Sequence, residues 1–218
     1  VDDFIDFGVN SLPTTGGTVS LWVRPDGGHG SGSVDEIVME MGSVNDDRQL
    51  VYLNDDGTAR MFIQRGSTHI ASSDVTSWAD EWYHLVGTWD SSSVRLFVDG
   101  VEDSTPAGSN SGISTPSSCT LGVSTLSSNN WFNGELDEVR ISKVVRNGSW
   151  ISTEYNNQVD PSGFVSVGSV EYRGAPVVSD VSPVDGAVGV SLGLSSLSFM
   201  LTDFQNDSMS YVVETSPD

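Results

Sequence analysis

The run Trp82–Trp89 is aromatic and β-branched, and Val94–Val98 alternates apolar with polar residues, so two strands are predicted there. Asp90-Ser91-Ser92-Ser93 lies between them, with short side chains that bond back to their own backbone and favour a turn. Asp99-Gly100 is a second turn signal, its glycine free to take positive φ. The same pattern predicts strands at residues 2–7, 18–23, 37–41, 49–53, 59–64, 68–72, 119–123 and 134–142, with Asn54-Asp55-Asp56-Gly57 as a hairpin turn. Residues 26–36, DGGHGSGSVDE, read as a flexible loop without the Gly-Lys-Ser/Thr ending of a phosphate cradle. The predicted helix is Ser149–Tyr155, with Ser149 as N-cap and Ile151 and Tyr155 on one face. Trp22, Trp82 and Trp89 are expected in the core, and Trp78 and Trp131 on loops.

After Arg173-Gly174-Ala175 the texture changes. Pro176–Ala187 reads as a strand and turn, and 197–201 and 209–214 as further strands around a turn at 203–207. This stretch resembles the opening of a bacterial or archaeal Ig-like repeat, which needs about seven strands and 100 residues. The expected division is a sandwich at 1–170, a linker at 171–176, and a partial Ig-like β unit at 177–218 whose unfinished strands could pair with another copy.

Composition narrows the partners. Thirty acids against nine bases leave a net charge of −21. Such a surface repels phosphate backbones and anionic lipid heads, which argues against nucleic acid and membrane surfaces. No run reaches the twenty or so apolar residues of a membrane span. One cysteine, Cys119, cannot form an intrachain disulfide and reads as a small buried hydrophobe. Lysine is reduced to Lys143, while Gly, Ser, Thr, Asn and Asp abound, a composition suited to short strands and many turns outside a cell. Val1-Asp2-Asp3 has the look of an internal segment, so a piece of a larger secreted or cell-surface protein is expected.

The sequences WYHLVGTWDSSSVRLFVDG at 82–100, TVSLWVRPD at 18–26 and GELDEVRIS at 134–142 resemble laminin-G-like domains of the concanavalin A-like superfamily. The resemblance covers roughly residues 1–170 and implies an all-β, jelly-roll β-sandwich with a short C-terminal helix. It also implies that the first and last strands lie close together, bringing Asp2 or Asp3 near Asp137 as ligands of a structural Ca²⁺ completed by backbone carbonyls.

Other chemistry is thinner. Glu135 and Asp137 resemble the Glu-x-Asp-x-x-Glu strand of β-glucan hydrolases of the same fold, but the last position is Arg140, and Glu138 is expected on the opposite face. Asn45-Asp46-Asp47 resembles the acidic pair of a pentraxin calcium site, yet its partnering loop, 124–133, carries Asn129 and Asn130 and no carboxylate. His29, His69 and His84 lack metal-ligand spacing, and His84 reads as a hydrogen-bonded sandwich residue. Trp131, with Asn129 and Asn130, is the expected sugar-stacking group. Together these predict a non-catalytic, calcium-stabilised adhesion or recognition module that binds glycan or protein partners. The alternatives are a fibre subunit and a carbohydrate-binding appendage of a degrading enzyme.

Overall fold

The computed structural model describes the chain except residues 1–3, 7, 10–11, 45–46, 104–105, 109–111, 125–129, 169–174, 192, 204–207 and 213–218. In chain order the first strands are β1 Ile5–Asp6, β2 Gly17–Pro25, β3 His29–Gly30, β4 Glu36–Val44, β5 Asp47–Leu53, β6 Ala59–Arg65, β7 Ser67–Ser72 and β8 Ser77–Trp78. They are followed by β9 Tyr83–Trp89, β10 Val94–Val98, β11 Val101–Glu102, β12 Ser118–Leu121 and β13 Gly134–Ser142. Helices α1 Gly148–Val159 and α2 Pro161–Phe164 come next, then β14 Val177–Ser182 and β15 Ser198–Thr202. Contacts divide the chain into Val1–Val165 and Ser166–Asp218.

The first unit is an all-β jelly-roll sandwich. One sheet runs β1-β12-β4-β5-β6-β7 and the other β11-β10-β9-β2-β13. Period-two alternation sends Leu21, Val23, Leu85 and Leu96 of the second sheet against Met39, Met41, Val51 and Met61 of the first. Each such side chain is fully buried, worth about 1.5–3 kcal/mol apiece relative to exposure. Cys119 joins this core as expected, and burial pushes its thiol up to about 11.

The β9–β10 hairpin has the predicted form, pairing Val94 with Trp89 through to Val98 with Leu85. The Asp90 carboxylate accepts from the Ser92 and Ser93 amides at 2.7 and 2.9 Å. Asp99 and Gly100 both hold positive φ, 49° and 78°, as a primed turn requires. A Cβ at Gly100 would also stand 2.9 Å from Tyr155 of α1, so glycine is needed there twice over.

Helix α1 lies on the outer face of the five-stranded sheet. Ile151 packs with Val86 and Phe97, and Tyr155 stacks 5.8 Å from Trp22. The helix is longer than predicted and its cap is Asn147, whose side chain accepts from the Trp150 amide at 2.9 Å. Ser149 already sits inside the first turn.

Three further expectations are corrected. The glycine-rich stretch 26–36 is not all loop: His29 and Gly30 pair with Trp78 and Ser77. That pairing buries Trp78, whose Nε1 donates to the Gly57 carbonyl at 2.8 Å. Trp82, expected in the core, is instead 41% exposed.

In the second unit β14 and β15 form a two-stranded antiparallel sheet. The strand expected at 209–214 is absent from residues 209–212, and the remainder lies outside the described residues, as does most of the turn expected at 203–207.

Candidate functional site

Edge strand β13 holds the chemistry. Its register against β2 pairs Asp137 with Trp22 but Arg140 with Ser20, so one extra residue bulges out between them. Glu138 sits in that bulge with φ 51°, in the left-handed region. Its amide donates to Asp137 Oδ1 at 2.7 Å. The bulge corrects the expected alternation. Val139 turns inward against the core, while Glu138 pairs with Arg140 and stands beside Asp137 rather than on the opposite face.

On one side of the bulge lies an open trough of about 560 Å³, lined by Trp22, Trp82, Asp137, Arg140, Asn157 and Gln158, together with Glu138. The parity of β9 places Trp82 there. His84, Val86 and Thr88 face outward opposite the core-facing Leu85 and Trp89, and counting back two from His84 reaches Trp82 beyond the strand's start. Arg24 stands 5.9 Å from the Trp82 ring centroid and holds the indole in place. Trp22 Nε1 donates to Gln158 Oε1 at 2.5 Å, fixing the carboxamide at the trough wall.

Both arginines are occupied. Arg24 donates to Glu135 Oε2 at 2.9 Å and to Asp80 Oδ1 at 3.3 Å. Arg140 donates to Glu154 Oε1 at 2.9 Å and to Glu138.

On the other side of the bulge a cleft of about 490 Å³ opens between β13 and the β1 edge, lined by Phe4, Ile5, Leu121, Phe132, Asp137 and Glu138 among others. Phe4 and Ile5 follow directly on Asp2 and Asp3, which lie outside the described residues, as does Asn129. Among the described residues no cluster of three or more His, Cys, Asp or Glu is placed to hold a metal ion. Trp131 bridges to Val123 and meets Phe4 edge to face. The Asn130 carbonyl accepts from the Ser124 amide at 3.1 Å. Of the pentraxin-like trio, Asn45 and Asp46 lie outside the described residues, and Asp47 Oδ1 accepts from the Ser114 amide at 2.9 Å.

Under α1, Ser20 Oγ donates to Glu154 Oε2 at 3.0 Å and lies 3.1 Å from His84 Nε2. Ser20 and His84 are fully buried, so this constellation pins the helix and offers no path to a substrate. His84 is the hydrogen-bonded sandwich residue expected.

Sequence reasoning missed Trp82, Gln158 and the outward turn of Glu138. Strand parity counted back from His84 could have found the first, and the one-residue phase shift from Leu136 to Val139 and Ile141 could have found the last.

No curated relative matches the chain. Among solved structures it is similar to domain 4 of AbnA, an extracellular arabinanase from Geobacillus stearothermophilus, in complex with arabinotriose, with a TM-score of 0.55 and 20% identity over 65% of this chain and 67% of that one. A second likeness is to the CBM40 of the Ruminococcus gnavus IT-sialidase bound to alpha2,3 sialyllactose, with a TM-score of 0.53 and 13% identity over 66% and 84% of the two chains. A third, from Bacteroides ovatus, is a candidate carbohydrate binding protein, with a TM-score of 0.54 and 15% identity over 68% and 43%. At these identities the likeness is one of fold. No helix among the described residues is long and apolar enough to cross a membrane. Residues 1–152 match a laminin-G family described as the concanavalin A-like lectin/glucanases superfamily, and the chain belongs to that superfamily.

Proposed function

We propose that this chain is a non-catalytic glycan-binding module of a secreted or cell-surface protein, and that the sugar lies in the trough beside the Asp137–Glu138 bulge. One observation carries the reading: Trp82 presents a 41% exposed indole in a trough whose wall converges carboxylates and carboxamides. Sugar rings stack their C–H faces on such an indole, and their hydroxyls bond to side chains around it. The arabinotriose and sialyllactose complexes of the similar folds support a saccharide as the ligand class. The bulge supports a binding role over hydrolysis, because Glu138 is ion-paired with Arg140 and Asp137 Oδ1 already accepts from the Glu138 amide, so neither carboxylate stands free as an acid or nucleophile.

A structural Ca²⁺ between Asp137 and the segment Asp2-Asp3 belongs to the same proposal. It is supported by Asp137 sharing a cleft with Phe4 and Ile5. A glycan-array screen of the intact chain against Trp82→Ala and Trp131→Ala tests the sugar site. Binding lost with Trp82 and kept without Trp131 upholds it; binding to no glycan sinks it.

A second reading, strand pairing between copies through residues 176–218 of an unfinished Ig-like unit, draws on β14 and β15. Two strands are marginal alone, and Val178, Val181 and Met200 are exposed on them. Size-exclusion chromatography with and without residues 176–218 tests it; a monomer in both cases removes it.

A further inference from the structure

We infer that the trough takes uncharged saccharides and turns away those bearing carboxylates, such as uronate and sialate chains; the inference rests on the glycan reading above. Recognising a saccharide carboxylate calls for a guanidinium or ammonium whose donors are free to form a bidentate pair. The trough has two guanidiniums nearby, and each is already ion-paired with two carboxylates, so neither offers an uncompensated positive charge. Arg24 gives Nε and Nη2 to Glu135, at 2.9 and 2.6 Å, and Nη1 to Asp80 at 3.3 Å. Arg140 gives Nη1 to Glu154 at 2.9 Å and Nη2 to Glu138. Asp137 is a further carboxylate at the same wall, so the carboxylates around the trough outnumber its guanidiniums.

An incoming carboxylate therefore meets a local surplus of its own sign. It would also have to share an arginine with two carboxylates already paired to it, which compete for the same positive charge. The chain-wide net charge of −21 adds a longer-range repulsion of polyanions that salt would screen.

The hydrogen-bonding groups present suit hydroxyls instead. A hydroxyl donates and accepts at once. Asp137 commits Oδ1 to the Glu138 amide and presents its carboxylate as an acceptor at the wall. Gln158 commits Oε1 to Trp22, so its amide hydrogens are the part left to donate, and Asn157 brings a second carboxamide to the same wall. The exposed face of Trp82 takes the sugar ring without regard to charge. Fold likeness to a sialyllactose-binding module thus does not extend to this chain's choice of sugar.

Affinity gel electrophoresis of the intact chain tests this with polymer pairs that share a backbone and differ in charge: methyl-esterified against de-esterified homogalacturonan, and hydroxyethylcellulose against carboxymethylcellulose. Neutral arabinan, xylan, galactan and mannan complete the panel. The expected result is retardation by at least one neutral polymer, lost in Trp82→Ala. Charged members should be weaker by about tenfold, a gap that narrows in high salt and in Glu138→Gln. Equal or stronger retardation by a charged member overturns the inference and leaves the glycan reading standing. Retardation by neutral polymers that survives Trp82→Ala puts the sugar elsewhere and overturns the inference too. Retardation by none of them overturns the glycan reading, and the inference falls with it.

Discussion

Phe4 meets Trp131 edge to face, with ring centroids 6.0 Å apart and planes at 66°. Strand β1 pairs with β12 over two residues only, and Phe4 and Ile5 are each about half exposed, so this aromatic contact is a principal tie holding the N-terminal strand. Trp131→Ala should lower stability by about 1 kcal/mol, the usual worth of such a pair, or roughly 2–4 °C in melting temperature for a chain of this size. Trp131→Phe should recover part of it. Glycan retention should survive in both. A Trp131→Ala protein that melts normally but no longer binds glycan would make Trp131 the stacking platform and remove Trp82 from that role.

The sandwich was legible because its signals are local. Alternation in Val94–Val98 and the Asp99-Gly100 turn need no partner strand to be read, and β10 occupies those very residues. Trp78 and Trp82 exchange their expected places, one buried and the other exposed, because their burial depends on distant pairing. His29 and Gly30, hidden in a glycine-rich stretch, cover Trp78, while nothing equivalent covers Trp82. Helix α1 runs past its expected end at Tyr155 through Asn156-Asn157-Gln158, a stretch without an apolar stripe. Gln158 is held by Trp22, 136 residues away, which no window of the sequence contains. The bulge at Glu138 is set by register against β2, and the same strand without it would have sent Glu138 inward.

His84 gives a pH dependence. Ser20 Oγ donates to Glu154, so its oxygen accepts from His84 Nε2–H; Nδ1 is then the bare nitrogen, and it has no partner. A second proton would be buried on Nδ1 without an acceptor. Burial first, and the charge of Arg140 second, lower His84 from 6.5 to about 4. Glu154, 3.7 Å away, would favour the imidazolium, but its charge is already engaged by Arg140. The unfolded chain therefore binds this proton first as pH falls. The stabilising contribution is complete above 6.5 and is lost progressively down to about 4. Its size is on the order of 3 kcal/mol. Urea unfolding of wild type and His84→Gln across that range should show a steeper loss in wild type. Parallel curves would remove His84 as the cause.

Calcium is tested by heat. A Ca²⁺ bound between Asp137 and the N-terminal aspartates stabilises the folded chain alone, by roughly 2.7 kcal/mol at a hundredfold excess over Kd. Melts in EDTA and in millimolar calcium should then differ by several degrees. Asp137→Asn should erase the difference while leaving the EDTA melt nearly unchanged, because Asp137 is exposed and keeps its contact with the neighbouring amide. Coincident wild-type melts would dispose of the site.

Glu40 anchors the loop that carries Asn130 and Trp131. It lies 1% exposed on β4, where Ser124 Oγ donates to its two oxygens at 3.1 and 3.0 Å and Arg48 Nη1 to one at 3.2 Å. Arg48 in turn stands 5.6 Å from the Phe62 ring centroid, so the carboxylate links the loop base to the outer aromatic cluster of β5 and β6. Glu40→Gln keeps the shape but withdraws the charge from a guanidinium that is 17% exposed. The cost should be about 2 kcal/mol, the range for leaving a largely buried charged group short of its partner. Ser124→Ala alone should cost less, about 1 kcal/mol. The double variant should cost less than the two singles added, since both act through one carboxylate. Additive costs in urea unfolding would show that Ser124 and Glu40 hold the loop independently.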